Sequence, residues 1–504
     1  MSNSKSGFSR IDAILKRAAA LGHAQSMLGV DEAVMMPTGG GEKRAEAMAT
    51  LAEMAHETVT APAVFDWIVE ARGEDLDAMQ SCALNEFERE YRNLTCLSGE
   101  FINRQVRTRM RSEQLWRELR PAGDWQAYLP ALEDVVDLAR EEAARRADAS
   151  GLAPYDAMME QYDPGNRLAD IMPMFESLRR FLKDFIPKAL DAQEKRHTAR
   201  PLRTFNAPYS IEKQKALGLL MMEAVGFDFD HGRLDVSHHP FCGGVPTDVR
   251  MTTRYTEAEF LSSLMGILHE TGHGLYEQNL PLAWNHWPLG RARGMTLHES
   301  QSLFVEKQLA CSPEFWTWAL PHVREVLGPE AIPGWDIEDL LARVQLIEPG
   351  FIRVDADEAT YPLHVILRFE IEKALIEGEI QTRDIPALWD EKMQAYLGLS
   401  TRDTMKDGPM QDVHWPSGAF GYFPSYTLGA MTAAQIMAAI ERDQPEVRED
   451  IRHGRFVAVN AWRKTHIWQE GSRYSTPDLL SRATGEKLNA RYFEDHLTRR
   501  YLGA

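Results

Sequence analysis

Apolar residues recur every three or four positions through most of this chain. The runs "EKRAEAMATLAEMAHETV" (42–59), "DWQAYLPALEDVVDLAREEAARRAD" (124–148) and "RLADIMPMFESLRRFLKDFIPKALDAQEKR" (167–196) carry that period and are rich in Ala, Leu, Glu, Arg and Met. This is the pattern of amphipathic helices built from good helix formers. The same period predicts helices over 210–225, 256–279, 295–310, 336–346, 355–377, 431–443, 446–469 and 476–500. Alternation of period two is rare. Its best examples are "GRLDVSHHPF" (232–241) and "DVRMTTRY" (248–255), separated by the turn-like "CGGVPT". They predict a small β-ribbon just ahead of the 256–279 helix. No repeat, low-complexity tract or Pro/Gly/Ser-rich linker divides the chain. The expected fold is mainly α: a single large helical body over 1–504. Along it run an N-terminal helical region (about 1–200), a central region (about 230–430) and C-terminal helices (about 431–504).

One predicted helix carries titratable groups where its apolar stripe would be expected to dominate. Residues 265–280 read "MGILHETGHGLYEQNL". Leu261, Leu264, Met265, Leu268 and Leu275 mark it as buried or half-buried. His269 and His273 are four apart and so lie one turn apart on one face. Two neutral imidazoles at that spacing can reach one zinc ion. Glu270 beside them can hold and deprotonate a water whose pKa the ion lowers. The alternative is an incidental H-E-x-x-H on a helix surface. In an apolar wall, however, three such groups would cost several kcal/mol unless something satisfied them. Gly272 and Gly274 are poor helix residues, but they would let another segment or a substrate approach closely.

A catalytic site of this type needs a third protein ligand and an open position. Glu277 shares the histidine face but lies roughly 12 Å along the axis from His269, out of comfortable reach. The metzincin extension fails, because Asn279 stands where its third histidine would be. The following helix, "MTLHESQSLFVEKQ", offers Glu299 and Glu306. Glu299 follows His273 by 26 positions, room for a loop and a returning helix. Glu299 is favoured, although Thr296-x-x-Glu299 also reads as a capping box and Glu306 as a surface charge. His298 and Gln301 are candidates to orient a ligand carboxylate.

Composition narrows the partners. The chain has 504 residues and a net charge of −19, which argues against recognition through phosphate and so against nucleic acid. Its length allows a large core without staples, so a metal here would be functional. The four cysteines, Cys82, Cys96, Cys242 and Cys311, form no CxxC pair and suit a reducing cytoplasm. The N-terminus reads as an amphipathic helix rather than a cleavable leader. No run reaches the roughly 18 apolar residues of a membrane span.

Five further strings accompany the histidine helix: "HPF" (His239–Phe241), "DVRMTTR" (Asp248–Arg254), "HESQ" (His298–Gln301), "IRVDAD" (Ile352–Asp357) and "GPMQDVHW" (Gly408–Trp415). In this order, with HETGH between the second and third, they resemble the carboxypeptidase Taq family of metallocarboxypeptidases. "MMPTGGGEKRAEAMATLAEMAHE" also resembles that family's N-terminal part, while Val30-Asp31 stands where Trp-Asp would be expected. The resemblance implies a helical fold with a deep groove, usually a homodimer. It implies a divalent metal, zinc or sometimes cobalt, and stepwise release of C-terminal amino acids from peptides with a free C-terminus. Carried over position by position, it implies His269, His273 and Glu299 as ligands and Glu270 as the acid/base.

An oxyanion donor is then expected among His239, His414, Tyr422 and Tyr426. An arginine fork for the α-carboxylate is expected at Arg353, then Arg250, with Arg254 a further option. Structural ion pairs to Asp248, Asp355 or Asp357 are the competing reading for these arginines. Two rival functions remain: a helical oligopeptidase or dipeptidyl carboxypeptidase, and a non-enzymatic metal-binding protein.

Overall fold

Helix signals written in the sequence account for most of the backbone. The computed structural model describes residues 6–238 and 240–503. These residues form twenty α-helices and one three-stranded sheet. The chain's first helix, Gly7–Val34, is capped by the Ser6 hydroxyl, which accepts from Ser9 N, a strongly preferred N-cap arrangement. Expected helices that ran too long in the sequence are broken at glycines. The 446–469 stretch is two helices, Val447–Arg452 and Val457–His466, interrupted at Gly454 (φ 69°). The 476–500 stretch is Thr476–Thr484 and Arg491–Leu502, interrupted at Gly485 (φ 97°). Both glycines take the left-handed backbone that ends a helix without a Cβ penalty.

Two large apolar cores face each other across one helix. The first gathers Val135, Leu178, Leu182, Val365, Trp389, Phe493 and Leu497 from five helices spread over the chain. The second gathers Leu217, Leu264, Leu268, Trp316, Val459 and Leu480. Helix Pro424–Asp443 belongs to both: Leu428, Met431 and Ala434 enter the first core, and Ala433, Ile436 and Ile440 enter the second. Two apolar stripes on one helix leave almost no polar face, which is why it is buried along its length.

The sheet differs from the expected ribbon. Strands β1 (Gly232–Val236), β2 (Phe241–Val245) and β3 (Asp248–Thr253) are ordered β1-β3-β2, with β1 parallel and β2 antiparallel to β3. The turn-like "CGGVPT" supplies most of β2, and the reversal falls on Pro246 and Thr247 between the paired residues Val245 and Asp248. Gly244 sits at φ 96°, where a Cβ would meet the Asp248 carbonyl at 2.1 Å. The glycine therefore serves an edge strand rather than a loop. Leu234, Val249 and Met251 pack against Phe227 and Ile267, laying the sheet on the histidine helix.

Candidate active site

The histidine helix runs Leu261–Gln278, with Leu264, Leu268 and Leu275 buried in the second core. Its two glycines are contact points. A Cβ on Gly272 would fall 2.2 Å from the Gln301 carbonyl, and one on Gly274 2.7 Å from Met251 Sδ. The first lets helix Gly294–Leu303 touch backbone to backbone; the second seats the sheet. Thr296 does not cap that helix. It lies inside it, and its hydroxyl donates to the buried carboxylate of Asp163, which also accepts from Thr476 at 2.6 Å. The capping-box reading of Glu299 thus fails, and the Glu299 carboxylate is left for the site.

Ligand atoms of His269, His273 and Glu299 lie within 4.8 Å of one another. Glu299 Oε2 is 3.5 Å from His273 Nε2 and 3.9 Å from His269 Nε2. The outer nitrogens are occupied. His269 Nδ1 is 2.8 Å from Glu306 Oε2. His273 Nδ1 is 2.6 Å from His298 Nδ1, whose Nε2 is 2.8 Å from Glu277 Oε1. One imidazole is thus oriented by a carboxylate directly, the other by a carboxylate through a second imidazole. Glu306 and Glu277 are partners of the histidines rather than ligands. His298 lies against His273 rather than a carboxylate of the triad, and Gln301 accepts from Trp468 Nε1 at 2.8 Å.

Burial dominates the electrostatics. It pulls His273 well below the usual imidazole range, helped by the positive charges of His298 and His269. Burial also pulls on His269, but the Glu306 hydrogen bond and the charges of Glu299, Glu306 and Glu270 prevail and raise it to about 9. Glu270, 8% exposed, is pushed up to about 7 by burial, with the negative charges of Glu299 and Glu306 adding to it. A carboxyl titrating near neutrality can both take and return a proton.

A cavity of about 440 Å³ opens from His269 and Glu299 toward Arg353, Tyr361 and Tyr426. Arg353 is held on its wall. Its Nε and Nη2 donate to Asp412 Oδ1 at 3.0 and 2.9 Å, and its Nη1 to Tyr361 Oη at 2.9 Å. Asp412 also accepts from Arg368 Nε at 2.6 Å, and Gln411 Oε1 accepts from Arg353 N at 2.8 Å. The "QDVHW" string is therefore a clamp on the arginine of "IRVDAD". Neither Asp355 nor Asp357 is the partner; Asp357 Oδ1 accepts from Ala359 N and Thr360 N instead, before helix Tyr361–Ile376.

His414 Nε2 lies 3.1 Å from Tyr426 Oη, with the ring against Phe423 at 4.4 Å. Burial, opposed by the negative charge of Asp412 and joined by the positive charges of Arg353 and Arg368, pushes His414 down to about 4, so it stays neutral. Burial raises the Tyr426 phenol to about 12, and the ring of Tyr422 stands edge-on to it at 5.1 Å. Arg250 pairs with Asp248 on β3, on the face opposite the inward Val249 and Met251. Arg254 is exposed. His239 lies outside the described residues.

A family model described as Carboxypeptidase Taq (M32) metallopeptidase matches residues 10–501. Thermostable carboxypeptidase 1 of Thermus thermophilus is 36% identical over 500 residues, covering 96% of each chain. Carboxypeptidase 1 of Bacillus subtilis is 33% identical over 491 residues, covering 97% of this chain and 96% of that one. The solved structure of metallocarboxypeptidase 1 from Trypanosoma cruzi matches with a TM-score of 0.94 at 39% identity, covering 98% of this chain and 99% of that one.

Proposed function

This chain belongs to the carboxypeptidase Taq (M32) metallopeptidase family and is a metal-dependent carboxypeptidase, and on that premise we propose that His269, His273 and Glu299 hold its cation while Glu270 moves the proton. The observation that carries the reading is the convergence of the three ligand atoms within 4.8 Å, with both outer imidazole nitrogens already engaged. Two imidazoles and a carboxylate with a fourth position open suit zinc, and cobalt can replace it. A divalent cation held there polarises a carbonyl and lowers the pKa of water.

The residues of the chain do the rest. Glu270, on the turn between the two histidines, takes a proton from the attacking water and passes it to the departing amine. Tyr426 lines the cavity beside Glu299 and is the donor we assign to the developing oxyanion. His414 fixes its hydroxyl from behind, and His239 is a further candidate from its "HPF" string. Arg353, rather than the strand-bound Arg250, takes the substrate's α-carboxylate. Its fork is pre-oriented by Asp412, and both terminal nitrogens keep a proton free. A homodimer is proposed from the family resemblance alone, and a cytoplasmic setting from the four unpaired cysteines. No helix among the described residues is long and apolar enough to cross a membrane.

The test is a timed mass-spectrometric digest of one unblocked peptide, with and without chelator, followed by zinc or cobalt restoration. The expected product is a ladder of single C-terminal losses that stops with chelator and resumes with metal. Release of dipeptides, or internal cuts, would overturn the exopeptidase reading.

A further inference from the structure

Helix Gly294–Leu303 does not end where its α-geometry ends. It continues as a π-helical stretch, Phe304–Leu309, a rare conformation that recurs at functional sites. Glu306, the partner of His269, lies in this stretch. Its second oxygen is 2.6 Å from Lys307 Nζ. The carbonyl of Lys307 is among those that a helix C-terminus leaves without an intrahelical partner, and it accepts from Arg500 Nη2 at 2.7 Å.

Arg500 comes from the last helix of the chain, Arg491–Leu502. Its Nη1 donates to Glu358 Oε2 at 2.6 Å. His496, one turn earlier on the same face, reaches Glu358 Oε1 at 2.9 Å, and Gln308 of the π-helical stretch lies 3.2 Å from His496. The side chains of Arg500 and Glu358 are 8% and 6% exposed. A buried pair of this kind is weak grounds for stability, because desolvation cancels much of the attraction. What it does supply is geometry, since a guanidinium fork fixes two acceptors in one plane.

We propose that the C-terminal helix is a remote clamp on the cation site: Arg500, bonded to Glu358 and to the Lys307 carbonyl, holds the π-helical turn so that Glu306 stays on His269, and thereby governs how long the cation is retained. Arg500 is a positioning residue, two links removed from the ligand. The inference rests on the metal-site reading above.

The experiment uses the full chain loaded with zinc, challenged with excess EDTA, and followed by the fraction of zinc still bound to protein with time. Loss of an outer partner of a metal ligand typically costs roughly 10–100-fold in metal affinity. Arg500→Met, which keeps the apolar stem and removes the fork, should release zinc about tenfold faster or more while retaining native circular dichroism at the assay temperature; its melting temperature should fall, because Glu358 stays buried without its guanidinium partner. Glu306→Gln should show an effect of similar size. Because Arg500 acts through Glu306, the double variant should release no more than about twofold faster than Glu306→Gln alone. Arg499→Ala, on the exposed side of the same helix, should release at the parental rate. Parental release from Arg500→Met overturns the inference, and so does multiplication of the two effects in the double variant or equal acceleration in Arg499→Ala. If Arg500→Met does not fold, Arg500→Lys, which keeps the charge but not the fork, takes its place with the same expectation at severalfold. A parental chain that takes up no zinc would instead end the metal-site reading.

Discussion

Gly429 leaves the space that Glu299 occupies: a Cβ built on Gly429 would lie 2.8 Å from Glu299 Cγ and 2.9 Å from its Cβ. These atoms are the stem of the Glu299 side chain, not its flexible end, and Ser300 N follows at 3.3 Å. The glycine sits inside helix Pro424–Asp443, where alanine would be favoured by about 1 kcal/mol on helix propensity alone. Overpacking at this buried contact typically costs roughly 1–3 kcal/mol, so Gly429→Ala should weaken metal binding about tenfold or more and lower apo-protein stability by no more than about 2 kcal/mol net. A competition titration against a zinc chelator, paired with a thermal melt, checks both halves. Unchanged affinity would mean that Glu299 yields without leaving the site.

Glu270→Gln keeps the size and burial of the side chain and removes its capacity to take a proton. Metal content should stay at the parental level, while kcat falls by roughly 10²–10⁴, the range attributed to a positioned acid–base group. Metal analysis and steady-state rates on the same preparation separate the two effects. Near-normal turnover would assign the proton transfer elsewhere.

Arg353 and the α-carboxylate are tested by a comparison of substrates. Arg353→Lys retains charge but not the fork, so KM for a peptide with a free C-terminus should rise about tenfold or more. Any residual cleavage of the same peptide as its amide should change little. Asp412 would lose its bidentate partner while keeping Arg368 at 2.6 Å, so a lower melting temperature should accompany the kinetic change. Equal KM effects on acid and amide would reduce Arg353 to a structural ion pair.

What could be read from the chain beforehand followed a physical divide. His269 and His273 were legible because helical geometry alone puts residues four apart on one face. Glu299 was legible as a charge one loop and one helix away, though Thr296 offered a local competitor that only the Asp163 contact removes. The partner of Arg353 was not legible. Asp355 and Asp357 are near in sequence, yet tertiary packing brings Asp412 to it from 59 positions away. Glu306 and Glu277 were visible as carboxylates but not as partners of His269 and His298, because that depends on how two helices rotate about Gly272. The edge strand β2 was missed because two glycines carry a turn signal whether the turn follows or the strand continues.

Asp163 links the pH dependence of stability to the placement of the Glu299 helix. It is buried between the hydroxyls of Thr296 and Thr476, close to Gly294 (φ 60°), where a Cβ would meet its Oδ1 at 2.8 Å. Burial raises its carboxyl from 3.8 to about 6, against the hydrogen bonds of Thr296, Thr476 and Asn166. The folded state therefore holds this proton more tightly than the unfolded state does. Between about pH 4 and 6 the folded chain binds more protons, so stability falls as pH rises through that window and levels off above it. At about 1.4 kcal/mol per pKa unit, the loss amounts to as much as roughly 3 kcal/mol. Both neighbouring hydroxyls can turn to accept from a protonated carboxyl, so the acid form is accommodated. Asp163→Asn mimics that form at every pH and should lack this decline. Denaturant melts of both proteins from pH 4 to 7.5 should show the parent losing ground to the variant as pH rises. A constant gap would mean that Asp163 is ionised throughout, its charge carried by the three donors around it.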